Sequence, residues 1–176
     1  MIKQNLTIMK KNCLTITFAV FLLFFLNGVQ AQTEQTELNQ VELINQSPLE
    51  GSWKYEYGKD TTGYTDFILY GTGIDAIGKL VSKGKTILEQ RINWAYNKTI
   101  DKMIGLNQIK GGDNATLWAV QWISKDNYVL VPYKDISNPK ESSRKTVGTF
   151  KSHDMLEITY YINNKLDKTV IYTRVK

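Results

Sequence analysis

From Leu49 onward, hydrophobic and polar residues alternate along the chain with a period of two. The stretch Leu49-Glu50-Gly51-Ser52-Trp53-Lys54-Tyr55-Glu56-Tyr57-Gly58 sets Trp53, Tyr55 and Tyr57 on one face and Lys54 and Glu56 on the other. Successive side chains of an extended chain point to opposite faces, so this alternation predicts a half-buried β-strand. About ten such runs follow one another, near residues 50–57, 64–70, 76–82, 85–96, 99–109, 115–124, 127–133, 144–151, 155–162 and 166–175. Turn-forming residues separate them, among them Thr61-Thr62-Gly63, Gly71-Thr72-Gly73, Lys83-Gly84-Lys85, Gly111-Gly112-Asp113-Asn114 and Asn163-Asn164-Lys165. Connections this short join neighbours as antiparallel hairpins in chain order. The one long gap, 134–143, carries Pro139 among mostly polar residues and reads as a loop.

An up-and-down array of this many strands is expected to close, because closure removes two exposed edges and keeps the inner tyrosines and tryptophans from water. The expected fold is therefore all-β: an antiparallel up-and-down β-barrel of about 8–10 strands. A two-layer sandwich shares the same periodicity and stays open as the alternative.

The first residues follow a different pattern. Lys3, Lys10 and Lys11 precede an apolar run from Leu14 to Leu26, which ends at Asn27-Gly28-Val29-Gln30-Ala31. A basic start, a short apolar core and small residues before a break predict a secretory signal peptide over 1–31, cleaved after Ala31. The apolar run falls short of the ~20 residues of a membrane span, so no span is expected after cleavage. Residues 32–48 are polar and acidic, and read as a lead-in or a short helix on a barrel end, with Leu38, Val41 and Ile44 at three-residue spacing and Pro48 as its stop. The barrel domain is expected over 49–176.

That division changes what charge and cysteine imply. The full chain carries +5, but without the three leader lysines 19 basic and 17 acidic residues remain. No Lys/Arg cluster longer than a pair follows position 31, so no nucleic-acid footprint is expected. Cys13 lies in the leader, and the exported chain would have neither a disulfide nor a cysteine nucleophile. The expected compartment is periplasmic or extracellular.

Gly51-x-Trp53 at the first strand and Arg174 within Tyr172-Thr173-Arg174-Val175-Lys176 at the last resemble the calycin superfamily, which includes lipocalins and fatty-acid-binding proteins. With Asn93-Trp94-Ala95-Tyr96-Asn97 midway, the layout of 49–176 is similar to small lipocalin-like domains of secreted bacterial proteins. The resemblance implies that Trp53 plugs one barrel end, that Arg174 packs across it, and that Gly51 lets the backbone bend into the strand. An indole face does attract a guanidinium, by ~0.5–2 kcal/mol. Fatty-acid-binding proteins insert a two-helix lid soon after the first strand, whereas Gly58 to Tyr64 here is only a tight turn. The resemblance to lipid carriers stops there.

Aromatic residues dominate the chemistry on offer. Trp118, Val120 and Trp122 share one strand face, while Leu117, Ala119 and Ile123 leave the opposite face apolar too. Ile92, Trp94 and Tyr96 share a face of the 85–96 strand. Core packing accounts for inward aromatics in a small barrel. The sharper reading is an aromatic-lined pocket for a small hydrophobic ligand, with Tyr55, Tyr57, Trp94, Trp118 and Trp122 as its expected contacts. The outward face of Leu117, Ala119 and Ile123 offers an alternative role, docking a protein partner.

Catalytic signals are sparse. His153, the only histidine, stands in a turn beside Asp154, and one histidine cannot assemble a zinc site. Gly73 to Lys79 spells G-x-x-x-x-G-K, but Leu80 stands where a phosphate loop needs Ser or Thr, and hairpins surround it. Asp101 and Glu157 each interrupt a β-like run, a position that solvent-facing alternation explains. No metal, cofactor or catalytic residue is therefore expected. Three glycosylation sequons, at Asn5, Asn97 and Asn114, complete the motifs, the first of them within the leader.

Overall fold

The computed structural model describes residues 39–176; the expected signal peptide, Cys13 and the Asn5 sequon lie outside the described residues. Ten antiparallel strands follow in chain order: β1 (Gly51–Gly58), β2 (Thr61–Tyr70), β3 (Gly73–Ser82), β4 (Lys85–Asn97), β5 (Lys102–Ile109), β6 (Ala115–Ser124), β7 (Asn127–Pro132), β8 (Arg144–Ser152), β9 (Met155–Ile162) and β10 (Lys165–Arg174). Each strand pairs with its sequence neighbours, and β1 pairs with β10 to close the barrel. The closing register sets Trp53 opposite Arg174, Lys54 opposite Thr173 and Tyr55 opposite Tyr172. The barrel prevails over the sandwich because no hairpin leaves the ring and both would-be edges are used.

Turn chemistry fixes the hairpins. Lys83 and Gly84 take φ of 48° and 75°, and Asn163 and Asn164 take 51° and 60°. Two consecutive left-handed residues match the right-handed strand twist, which is why Asn and Gly recur there. The first hairpin turns earlier than its Thr61-Thr62-Gly63 signal suggests, at Lys59-Asp60, with Asp60 at φ 61°. Gly63 instead lies within β2, opposite Tyr55.

That pairing belongs to a wider pattern on the inner wall. A Cβ at Gly63 would overlap the Tyr55 ring, and one at Gly148 would overlap the ring of Tyr128, its partner in register. Gly105 stands opposite both Trp94 and Trp118, and a Cβ there would lie 2.5 Å from Trp94 Cδ1. A ten-stranded ring is wider than one that side chains fill completely. Laying large rings flat over glycines packs the wall while leaving space at the centre.

One end of the barrel is sealed. Helix α1 (Gln40–Gln46) opens with a reciprocal capping box, Glu42 N donating to Asn39 Oδ1 at 3.0 Å and Asn39 N to Glu42 Oε2 at 3.1 Å. Its buried residues are Gln40, Leu43 and Ile44, so the packed stripe is shifted from the three-residue series read from sequence. Below it, Leu49, Trp53, Met103, Val120, Trp122 and Leu156 are all buried to within 1%. Gln40 reaches past the end of β5: its Nε2 donates to Trp122 O at 2.9 Å, and Trp122 N donates to its Oε1 at 2.7 Å. A side-chain amide thus replaces the missing strand partner of Trp122.

Candidate ligand-binding cavity

Strand direction places the hairpins 58–61, 82–85 and 162–165, with the 133–143 loop, at the end opposite helix α1. From that end a cavity of about 430 Å³ runs into the barrel. Side chains lining it at increasing depth can be read along the strands: Gln90, Ile92 and Trp94 on β4; Ile162, Tyr160 and Ile158 on β9; Lys168 and Tyr172 on β10. Tyr128, Phe67 and Trp94 form the inner wall, above the sealed layer of Trp53 and Trp122.

Five aromatic residues stand out in the sequence, and the structure separates them. Trp94 and Trp118 line the cavity from adjacent sides of Gly105. Tyr55 lies outside its lining and packs against Tyr172, with ring centroids 4.2 Å apart. Tyr57 is 53% exposed, because a register shift between Glu56 and Gly58 ends the regular pairing of β1 there. Trp122 lies below the cavity, stacked near-parallel on Phe150 with centroids 6.4 Å apart. Tyr128, Tyr160 and Tyr172 join the wall, although the tryptophans are the louder signal in sequence. Their parity was legible: Tyr160 shares a face with Ile158, and Tyr172 with Val170.

The sealed end is built around the residues of the family resemblance. Arg174 Cζ lies 4.4 Å from the centre of the Trp53 ring. Its guanidinium donates to Pro48 O at 2.5 Å, Glu50 O at 2.6 Å and His153 O at 3.2 Å. Gly51, at φ 121°, has no Cβ to collide with that guanidinium. Trp53 Nε1 in turn donates to Leu49 O at 2.8 Å. All three residues thus close the end away from the cavity mouth.

The wall is aromatic but not inert. Burial pushes the phenols of Tyr128, Tyr160 and Tyr172 upward, and Tyr172 also feels the neighbouring Tyr160 and Tyr55. They remain neutral hydroxyls at physiological pH. Trp94 Nε1, Trp118 Nε1 and Asn107 Oδ1, on three consecutive strands, are buried with no hydrogen-bond partner in the protein. Trp122 Nε1, in the sealed layer, also has no partner in the protein, whereas the three that line the cavity can take one from water or from a bound molecule.

The remaining polar residues fall elsewhere. His153 is exposed in the β8–β9 turn, its Nδ1 3.0 Å from Asp154 Oδ1, at the sealed end. Asp101 sits in a turn at φ 47° and accepts from Tyr96 Oη at 2.8 Å. Glu157 faces outward, 3.0 Å from Lys151 Nζ. The Gly73 to Lys79 segment lies wholly within β3, its backbone paired with β2 and β4. On the outer wall, Leu117 and Ile123 are exposed, while Ala119 is buried in a groove of about 370 Å³ beneath Ile136 and Pro139 of the 133–143 loop. The chain matches no protein-family model and no curated protein.

Proposed function

We propose that the chain is an exported, lipocalin-like barrel that binds a small hydrophobic molecule in its interior. The observation that carries this reading is the cavity of about 430 Å³, walled by Trp94, Trp118, Tyr128, Tyr160 and Tyr172 and open at one end. Its volume falls within the range of about 300–1,000 Å³ usual for small-molecule sites, and its mix of aromatic walls with few polar groups is the usual composition. The Gly51, Trp53 and Arg174 arrangement supports the lipocalin-like assignment, and the leader-like pattern of residues 1–31 supports export.

Native mass spectrometry of the protein purified gently from its own host tests this reading. A co-purified mass of a few hundred daltons, lost on denaturation, is the expected result, and a bare mass counts against it. The outer groove bounded by Ala119, Ile123 and Val131 favours a second reading, an interaction module that docks a protein partner through that face. A bare barrel that retains a protein partner in the same measurement would support that reading instead.

A further inference from the structure

The cavity mouth has a sign. Lys168 reaches it from β10, and Arg144 and Lys145 from the start of β8; a single acid, Asp167, lines it with them. Among the described residues, no ion pair engages Arg144, Lys145 or Lys168. Some cations elsewhere on the barrel do meet carboxylates, among them Arg91 with Asp75, Lys110 with Glu89 and Lys151 with Glu157. Three cations against one carboxylate at a low-dielectric opening focus a positive potential there.

Two of these cations are also placed rather than free. Lys168 Nζ lies 4.8 Å from the centre of the Tyr57 ring and 4.9 Å from that of Tyr160. Lys145 Nζ lies 5.1 Å above Tyr161. The register shift between Leu166 and Lys168 leaves Asp167 unpaired and sets Lys168 directly opposite Tyr160, on the cavity face. Bulges of this kind re-aim side chains beside functional sites.

We infer that the ligand is a small planar aromatic acid, its rings held between the aromatic walls and its anionic group at the mouth against Lys168 and Arg144. This inference rests on the reading of the barrel as a small-molecule carrier. Aromatic side chains at Phe67, Trp94, Trp118, Tyr128 and Tyr160 favour flat ring systems, which stack in offset or edge-on arrangements. The unmet indole and amide groups of Trp94, Trp118 and Asn107 favour a ring bearing heteroatoms over a bare alkyl chain. The anion stays at the mouth because the inner wall offers neutral phenols and no cation.

Two fluorescent probes of nearly equal shape separate the claims: the anionic 1-anilinonaphthalene-8-sulfonate and the neutral N-phenyl-1-naphthylamine. Binding of each is measured by fluorescence titration to the protein purified from its host and to a Lys168→Gln, Arg144→Gln double variant. The expected result is that the sulfonate binds about tenfold or more tightly than the neutral probe. The ratio of the two affinities is the readout: that advantage should shrink at high salt and disappear in the double variant. Equal affinities, or an advantage that survives the double variant, overturn the anionic class while leaving a hydrophobic carrier standing. With a native mass that shows the cavity empty, no binding of either probe overturns the carrier reading and this inference together.

Discussion

Arg174 stands opposite Trp53 across the closing seam of the barrel and lays its guanidinium 4.4 Å over the indole. The same guanidinium serves three backbone carbonyls, those of Pro48, Glu50 and His153. One side chain therefore ties the approach to β1 and the β8–β9 turn to the last strand. Closure of this end leaves the opposite end as the way in.

Removing that tie is expected to cost more than a surface charge would. Arg174→Ala loses the cation–π contact and three hydrogen bonds made by a side chain only 16% exposed, a cost of about 2–4 kcal/mol. Arg174→Lys should recover little of it, because one ammonium cannot span three divergent acceptors. Denaturant titration of both variants checks this. A lysine variant as stable as the parent would show that charge over the indole, rather than the carbonyl network, holds the end shut.

Gly105→Ala tests how the wall makes room for its rings. The new Cβ would meet Trp94 at 2.5 Å from Cδ1 and 2.7 Å from Nε1, so the indole must swing toward the cavity. The expected loss is about 1–3 kcal/mol, the usual cost of overpacking. A probe that fills the cavity should also bind more weakly. Gly58→Ala, with nothing within 4 Å of the added carbon, should stay within about 0.5 kcal/mol and serves as the control.

Why the rings need glycines explains what the sequence did and did not reveal. Period-two alternation and turn residues were enough for ten hairpin-linked strands, and the terminal Gly-x-Trp and Arg motifs pointed to closure. Parity assigns a face, however, and says nothing of depth along the barrel axis. Tyr57, Trp118 and Trp122 all have inward parity, yet they occupy the exposed rim, the cavity wall and the sealed layer in turn. Gly63 reads as a turn residue in isolation, and only its register opposite Tyr55 shows that it makes space for a ring. The mouth cations were invisible for a related reason: Lys145 and Lys168 are separated along the chain and meet only through β9.

Gln40 depends on the same kind of long-range register. It stands 82 residues from Trp122, and it bonds both backbone groups of that residue where β5 has run out. Gln40→Ala should leave a buried N–H and a buried C=O unmatched, costing about 2–3 kcal/mol. Gln40→Glu keeps an acceptor for Trp122 N but sets a carboxylate against Trp122 O, so it should be no better at neutral pH. Protease sensitivity near the helix, read alongside denaturant midpoints, distinguishes release of α1 from loss of the whole barrel. Unchanged midpoints in both variants would contradict a strand-replacing role.

Alkaline titration addresses the cavity wall directly. Burial raises the phenols of Tyr55, Tyr128, Tyr160 and Tyr172 above their ordinary value of 10.0. In the unfolded chain these phenols ionise near that value, so between it and the raised folded values the unfolded state releases protons that the folded state retains. Their contribution to stability is therefore complete below about pH 10 and declines as pH rises above it. Phenolate absorbance from these four of the ten tyrosines should appear together with unfolding rather than before it. A ligand seated among Tyr128, Tyr160 and Tyr172 should push that transition to higher pH, because it binds the folded barrel alone. Smooth ionisation of all ten tyrosines without loss of β structure would show that the wall is open to water along its whole depth.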